Sequence, residues 1–320
     1  MDIIPIKLSV TNCFLIKAGE QYVLIDTGYE EDWELFQTGL KKAGVEFSMI
    51  SHIILTHHHD DHCGLLHDIL RENSSIRIVM SQLSKDLISK GENDQTHGGG
   101  LLNKRIAWLI RRKQFYLSVI LRKKIDKSKN LKFTPYIARE CDILVDRDIR
   151  LNGIGIPLEG KIIMTLGHTV DSVSILFDDG DCLVGDAAAS MLQFAGTKNG
   201  VIFICDIDEY YRSWRKIIAA SAKTIYPAHG KPFSVKRLKA NLGKNKGKYL
   251  QSESIDSLFK IIRDFTGKES KIVFDFIYSS VINHENLYQG EKKLVESVSK
   301  SDEGFCFGLE KGNLLQFLST

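Results

Sequence analysis

The chain has 320 residues, of which 43% are hydrophobic and 26% are charged. This composition is that of a globular protein, and it excludes a disordered, collagen-like or coiled-coil chain. The 43 basic residues nearly balance the 40 acidic ones, so the net charge of +3 does not by itself favour nucleic acid or a membrane as partner. No apolar run approaches the length of about 18 residues that a transmembrane helix needs.

The N-terminus and the cysteines predict the compartment. Residues 1–6 have no basic segment and no apolar core of the kind found in signal peptides. The six cysteines lie far apart and include no CxxC pair, so they are expected to be reduced thiols that mostly pack as small core residues. We therefore expect a cytoplasmic protein.

Strand and helix signals alternate along the first 230 residues. Short apolar runs at 13–16 and 22–25 flank a turn and predict a hairpin. The spacing of apolar residues predicts a helix over 31–43, and a β-branched run predicts a buried strand over 50–55. The same signals predict a helix at 209–222 and further strands at 143–145, 149–151, 161–166, 172–177, 182–184 and 224–226.

Two segments differ from this pattern. Residues 104–127 hold nine basic residues and one acidic residue among apolar ones, which predicts one or two basic amphipathic helices. Residues 236–248 are basic and rich in Gly and Asn, which indicates a linker or surface segment. The remaining signals predict helices at 254–265 and 291–299 and a terminal hairpin within 305–318.

Four residues of metal-binding type occur within six positions directly after the strand at 50–55. They are His57, His59, Asp61 and His62. Residues two apart in an extended loop can point the same way, so His57 and His59 can share one metal while the other two turn toward a second. Imidazole and carboxylate suit zinc, and also manganese or iron. A solvated His/Asp turn is the alternative.

Three further candidates stand at the ends of later predicted strands. His168, Asp186 and His229 each follow a strand and each has a glycine neighbour. Glycine allows the backbone to turn sharply or approach another chain segment closely. Any one of these residues alone is more often structural, but together with the earlier cluster they indicate a single site.

These residues carry a family resemblance. The string Thr56-His57-x-His59-x-Asp61-His62, followed by His168, Asp186 and His229, resembles the metallo-β-lactamase-fold hydrolase superfamily. The turn Asp26-Thr27-Gly28 is similar to that family's D-x-G turn, and the similarity covers about residues 3–232.

The resemblance implies an α/β fold, an αββα sandwich with the metal site at one edge. The sandwich would occupy residues 1–234, with a helical insertion at about 72–140. Residues 235–320 would form a C-terminal α+β extension, which could be a small helical or winged-helix-like module.

The resemblance also implies two ligand sets and two divalent metal ions, with zinc favoured over manganese or iron. His57, His59 and His168 would bind one ion, Asp61, His62 and His229 would bind the other, and Asp186 would bridge them. The two cations would lower the pKa of a bridging water, so that hydroxide attacks the substrate. Asp61 would also orient that nucleophile, which makes it the catalytic candidate. Asp26 is expected either to support the ligands or to serve as a turn carboxylate.

Other residues near these motifs have less support as functional groups. Spacing predicts that His58 and Asp60 face away from the metals, and Cys63 is expected to be a small packed residue. The aromatic residues at 210, 211 and 214 are expected in a helical core rather than in a pocket.

The presence of Asp186 bears on the reaction. True β-lactamases of this fold generally lack a bridging Asp there, so the resemblance favours the branches with glyoxalase II, lactonases, phosphodiesterases and RNA-processing enzymes. We expect a hydrolase of an ester, lactone, thioester or phosphodiester bond in a small anionic or acyl-bearing substrate. The alternatives are a metal-binding sensor or regulatory effector without catalysis, and an iron-dependent redox enzyme.

The two atypical segments suggest partners. The basic insertion at 104–127 could form a lid over the site, contact a membrane surface, mediate a homodimer or simply be a solvated helix. His97, beside three glycines, could contact substrate from a mobile loop. A winged-helix interpretation of the C-terminal part would allow nucleic-acid contact, but a helical extension packed on the sandwich is favoured.

Overall fold

The computed structural model describes residues 2–94, 97, 99–103, 105–106 and 132–251. Two six-stranded sheets face each other, and helices cover the outer face of each sheet. This is the expected αββα sandwich. A third, three-stranded sheet lies beside it.

The strands of the described residues are numbered in chain order. Their bounds are β1 Ile3–Lys7, β2 Asn12–Ala18, β3 Gln21–Ile25, β4 Ile50–Ile54, β5 Arg77–Ser81, β6 Gly100–Leu101, β7 Ile143–Val145, β8 Ile149–Arg150, β9 Gly160–Met164, β10 Val173–Phe177, β11 Asp181–Gly185, β12 Phe203–Ile204, β13 Thr224–Pro227, β14 Phe233–Ser234 and β15 Leu250–Gln251. In the first sheet the order is β1-β2-β3-β4-β5-β7, and in the second it is β14-β13-β11-β10-β9-β8. The small sheet has the order β12-β6-β15.

Six α-helices lie in the described part of the chain. They are α1 Trp33–Ala43, α2 Asp60–Cys63, α3 Leu66–Glu72, α4 Gln82–Ile88, α5 Ile207–Ala219 and α6 Val235–Asn241. Among these helices none is long and apolar enough to cross a bilayer.

The core has three layers because side chains alternate along the strands. In β2, Cys13 and Leu15 pack outward against α1 and α3, while Phe14 and Ile16 point between the sheets. Side chains from β9, β10 and β11 fill the other side of that central layer. A third cluster, built on the α5 side chains Tyr210, Tyr211, Trp214 and Ile217, packs on the outer face of the second sheet.

The structure differs from the sequence-based boundaries at two places. Residues 77–81 form β5 inside the first sheet and residues 82–88 form α4, although this range was assigned to the insertion. The run after Ser75 is aliphatic because β5 is buried between two parallel neighbours. Residues 236–241, the first part of the range expected as a linker or surface segment, lie in α6. Most of their side chains are exposed, but Leu238 belongs to the core of the second sheet.

Several predictions lie outside the described residues. These are the basic helices predicted over 104–127, of which only residues 105–106 are described, the helices at 254–265 and 291–299, and the terminal hairpin. Five cysteines lie in the described part of the chain, and all five are free thiols, as expected.

Candidate metal centre

The candidate ligands lie at the ends of strands that share one edge of the sandwich. β3 and β4 are parallel, and β11 runs parallel to β13, so in each sheet neighbouring strands end at the same edge. His57 and His59 follow β4, Asp186 follows β11, and His229 follows β13. His168 stands in the loop between β9 and β10, and Asp61 and His62 lie in α2.

These side chains converge in space. Among the described residues, ligand atoms within 4.8 Å of one another define three groups. One group is His57, His59 and His168, which we call the first half-site. Another is Asp61, His62 and His229, which we call the second half-site. The third group is His57, His62 and Asp186, and it connects the two.

Hydrogen bonds at Nδ1 orient four of the five imidazoles. His62 donates Nδ1–H to Asp26, His168 to the Phe203 carbonyl at 2.9 Å, and His229 to the Val10 carbonyl at 3.2 Å. The Thr56 hydroxyl donates to Asp26 and can therefore accept from His57 Nδ1 at 3.1 Å. Each of these rings thus turns Nε2 inward, as metal-binding histidines commonly do with an outer hydrogen-bond partner.

The inward atoms fit a divalent cation. His168 Nε2 lies 3.2 Å from His59 Nδ1, so two ring nitrogens face each other. The buried Nε2 atoms of His57 and His62 have no hydrogen-bond partner in the protein. Buried polar atoms are nearly always partnered, and nitrogen and oxygen donors in this arrangement match the ligand preferences of zinc. The residues present therefore fit the metal ions that the resemblance implies.

Asp186 lies between the half-sites. Its Oδ2 is 3.4 Å from His168 Nε2, and its Oδ1 is 3.3 Å from His229 Nε2. Gly185 allows this approach: a Cβ atom there would lie 2.5 Å from the Thr56 hydroxyl oxygen, closer than side-chain carbons pack. Its φ of +49° is also in the left-handed region.

Asp26 accepts hydrogen bonds from residues of the candidate centre. Its carboxylate is buried, accepts from the Thr56 backbone N–H at 2.7 Å and hydroxyl at 2.8 Å, and accepts from His62 Nδ1 at 2.8 Å. Its φ of +59° places it in the left-handed region at the end of β3. The supporting contact that the sequence allowed for Asp26 is therefore present.

The two half-sites differ in charge before any metal binds. Burial and the neighbouring imidazoles hold the pKa values of His57 and His59 well below the ordinary value. Burial also lowers the pKa of His168, more than Asp186 raises it. The first half-site is therefore made of neutral rings.

In the second half-site the carboxylates dominate. Burial lowers the pKa of His62, but Asp26 and Asp61 outweigh it and raise that pKa to about 9. Burial likewise opposes the charge of His229, yet Asp186 and Asp61 hold its pKa well above the ordinary value. The pKa of Asp186 is lowered because His229 and His168 outweigh its burial. A proton and a metal ion therefore compete for the second half-site.

A buried network beside the first half-site involves residues that the sequence did not point to. His58 donates Nδ1–H to Asp171 at 2.8 Å, and its Nε2 accepts from the Asp94 backbone N–H at 3.1 Å. The Ser84 hydroxyl donates to the other Asp171 oxygen at 2.6 Å. His58 thus faces away from the metal groups, as expected from spacing, and joins the ligand loop to α4 and to the loop before β10. These partners are far apart in sequence, so no linear motif could have identified them.

His97 and Cys63 each lie beside a segment that carries candidate ligands. His97 pairs with Asp94, and its backbone carbonyl accepts from the Cys205 thiol at 3.1 Å. The Cys205 backbone N–H donates to the His168 carbonyl at 3.1 Å, so His97 lies beside the segment that carries this ligand. The Cys63 thiol donates to the His58 carbonyl, and burial holds its pKa well above the ordinary value, as suits a packed residue.

Most of the chain matches a known protein family. The family model of the metallo-beta-lactamase superfamily matches residues 6–229. The chain belongs to the metallo-beta-lactamase superfamily. The match ends on the last candidate ligand, His229, and so spans all seven candidates.

Individual relatives agree at the level of the superfamily. The chain is 26% identical over 244 residues to a probable metallo-hydrolase of Bacillus subtilis, YqjP, covering 72% of this chain and 70% of the relative. It is 24% identical over 232 residues to a beta-lactamase-like protein 2 homolog of Caenorhabditis elegans, covering 71% of this chain and 58% of the relative. A shorter match, 41% identical over 66 residues, is to an atrochrysone carboxyl ACP thioesterase of Pseudocercospora fijiensis, and it covers 20% of this chain and 19% of that enzyme.

A solved structure confirms the fold. A metallo-beta-lactamase family protein of Thermus thermophilus superposes with a TM-score of 0.51, at 16% identity, over 77% of this chain and 79% of that protein. Membership of the superfamily supports a hydrolase that binds divalent metal, and it leaves the bond that is cleaved to be determined from the site.

Proposed function

We propose that the protein is a dinuclear metal-dependent hydrolase of small acyl esters or thioesters. One observation carries this proposal: Asp186 reaches the ligands of both half-sites, with oxygens 3.4 Å from His168 Nε2 and 3.3 Å from His229 Nε2. A carboxylate in this position can be shared by two cations. The first half-site would hold one ion and the second half-site the other, with zinc favoured by the donor set.

Two bound divalent cations would supply an acidified water and a polarised substrate carbonyl. The side chains of this chain hold that arrangement in place. Asp26 orients His62 and Thr56, and Thr56 in turn orients His57. Asp61 lies at the second half-site, where its Oδ2 is 3.3 Å from His229 Nε2, and it is the candidate to orient the nucleophile.

The acyl class is favoured over phosphodiesters and lactones by one comparison. The fungal relative with the 41% local identity is named as an acyl carrier protein thioesterase. A small acyl thioester or ester would present the carbonyl that this kind of site polarises. Lactones and phosphodiesters remain the competing substrates, and they belong in the same test.

His97 is the candidate to contact the leaving group. It is paired with Asp94, which is the usual arrangement for a histidine oriented to exchange a proton. Its backbone joins the His168 segment through Cys205. If His97 assists departure, His97→Gln should slow an alkyl ester more than an aryl ester, because only the alkyl alkoxide needs a proton.

The test begins with metal content. Protein purified without a chelator or a His-tag should carry about two equivalents of a divalent metal, measured by mass spectrometry. A panel of aryl esters, acyl thioesters, lactones and phosphodiesters is then assayed with the wild type and with Asp186→Asn. Turnover of acyl substrates that the variant loses supports the proposal. Two bound metals without turnover of any class would favour the sensor or effector alternative, and one or no metal after reconstitution would overturn the dinuclear centre.

A further inference from the structure

The loop between β1 and β2 contacts two ligands of the second half-site. The Thr11 hydroxyl donates to Asp61 Oδ2 at 3.1 Å, and the Val10 carbonyl accepts from His229 Nδ1 at 3.2 Å. Asp61 and His229 are 168 positions apart in the chain, so a single loop contacts two ligands that are distant in sequence. We call residues 8–12 the strap.

Each strap contact holds a ligand and still leaves it able to bind a metal. A carboxylate oxygen has two lone pairs, so Asp61 Oδ2 can accept from Thr11 and still bind a cation. The Val10 carbonyl accepts a hydrogen bond from His229 Nδ1–H, and Nε2 is therefore directed at Asp61 and Asp186. Both contacts are buried: Thr11 is 1% exposed and His229 is 7% exposed.

The end of the strap binds the segment around His229. The Asn12 backbone N–H donates to the Ala228 carbonyl at 2.8 Å. Its side-chain amide donates to the Ala228 carbonyl at 2.9 Å and to the Gly230 carbonyl at 3.1 Å. The residues on both sides of His229 are therefore bound to the strap.

The start of the strap is anchored to the sandwich. The Ser9 backbone N–H and hydroxyl donate to the two oxygens of Asp32, at 3.2 and 3.0 Å, and Asp32 is 3% exposed. The Leu8 side chain packs directly on Gly28, where a Cβ atom would lie 2.1 Å from Leu8 Cδ1. The glycine of the D-x-G turn thus makes room for the strap.

The first half-site takes its outer hydrogen bonds from other segments. His57 is bonded to Thr56, and His168 to the carbonyl of Phe203 in the small sheet. A change in the strap should therefore act on one half-site and leave the other almost unchanged.

From these contacts we infer that the strap sets the metal affinity of the second half-site, with Thr11 as the positioning residue for Asp61. This inference rests on the proposed dinuclear centre. Loss of an outer hydrogen bond to a metal ligand typically weakens metal binding by about 10- to 100-fold. Thr11→Val should weaken the second equivalent of metal by that factor and leave the first equivalent at the wild-type affinity.

The test is a zinc titration of metal-depleted protein in competition with a chromophoric chelator, so that the readout is binding rather than turnover. Thr11→Ser keeps the hydroxyl and should restore the second equivalent. Thr197→Val is the matched control, because it also removes a buried hydroxyl, one that donates to the Met191 carbonyl, and it should bind both equivalents normally. Ser9→Ala loosens the anchor without touching a ligand contact, and it should weaken the second equivalent less than Thr11→Val does.

The outcomes separate the inference from the proposed function. Two wild-type equivalents, with only the second weakened in Thr11→Val and restored in Thr11→Ser, support the strap. Equal weakening of both equivalents, or unchanged binding in both Thr11→Val and Ser9→Ala, overturns it and leaves the dinuclear centre intact. A single equivalent in the wild type overturns the dinuclear centre and the strap with it. Thermal unfolding of each metal-free variant shows whether a loss of binding reflects a loss of folding.

Discussion

The two half-sites are built from similar ligands but are held in different ways. His57, His59 and His168 are neutral rings. Burial and the neighbouring imidazoles lower the pKa values of His57 and His59, and at His168 the effect of burial outweighs that of Asp186. In the second half-site, carboxylates raise the pKa values of His62 and His229, so those rings hold protons where a cation would bind. Metal affinity depends on deprotonated ligands, and the second half-site must therefore release protons on loading.

The proposed dinuclear centre should therefore hold its two metal ions with unequal affinity. The first half-site is already arranged for a cation and needs only to be filled. The second half-site depends on Asp26 and on the strap to orient its ligands, and on pH to free them. We expect the first half-site to load first under mildly acidic conditions.

The largest expected effect removes what the two half-sites share. Asp186→Asn keeps the shape of the side chain but loses the charge that faces both His168 and His229. Since loss of an outer partner alone costs about 10- to 100-fold in affinity or activity, loss of this shared ligand should cost more than about 100-fold in kcat. Metal content should fall at both half-sites. Asp146→Asn, at an exposed position, is the control; undiminished metal content in Asp186→Asn would contradict the bridging role.

A change of pH should separate the half-sites. His62 has a pKa raised to about 9 in the metal-free protein, so metal must displace its proton below that pH. The apparent affinity of the second half-site should rise by at least about tenfold per pH unit between pH 7 and 9, while that of the first changes little. Chelator competition at several pH values measures both. If the affinities of the two equivalents changed with pH in the same way, the two half-sites would not differ in protonation.

The same raised pKa has a consequence for stability. A histidine whose pKa is higher in the folded state stabilises that state fully below about pH 6.5, its unfolded value, and loses this contribution as the pH rises through about 9. The metal-free protein should therefore melt at a lower temperature at pH 9 than at pH 6.5. Metal-loaded protein should show the opposite trend, because loading becomes more favourable with pH.

A change at Asp26 should act more strongly on the second half-site, because Asp26 contacts His62 directly and reaches His57 only through Thr56. Asp26→Asn keeps one oxygen acceptor but loses the negative charge that faces His62 and Thr56. We expect the second equivalent of metal to bind about 30-fold more weakly, within the range for outer partners, and the pKa of His62 to fall. The pH dependence of the second equivalent should then become shallower. A steeper or unchanged dependence would show that Asp26 does not set the charge of His62.

The smallest expected effect concerns the network behind the first half-site. Burial alone would raise the pKa of Asp171, but the contacts with His58 and Ser84 outweigh burial and lower it. Its carboxylate is therefore ionised, and each oxygen accepts a hydrogen bond. Asp171→Asn should cost about 2 kcal/mol of unfolding free energy, as expected for hydrogen bonds to a charged group. Thermal unfolding measures this loss, with the exposed Asp179→Asn as control. The second equivalent of metal should bind normally.

The candidate ligands could be identified from the sequence because their residue types and their positions after strands are visible along the chain. Four candidates stand in six consecutive positions, and the other three follow strands whose apolar pattern is visible in one dimension. The hairpin, β4, α5 and the strands β9, β10, β11 and β13 were predictable for the same reason. β5 could not be separated from the insertion in the same way, because a short aliphatic run does not by itself show which sheet a strand joins.

What surrounds the ligands was decided only by tertiary structure. Thr11 reaches Asp61 across 50 positions, and His58 reaches Asp171 across 113, so no spacing rule connects them. The charges of the two half-sites also depend on folding, since burial and neighbouring carboxylates act through distance in space. The linear pattern of residues was therefore enough to name the candidate metal ligands and the family of the chain. The packed sandwich determined which ligands are neutral, which are protonated and which loop holds them, because these properties arise only where distant segments meet.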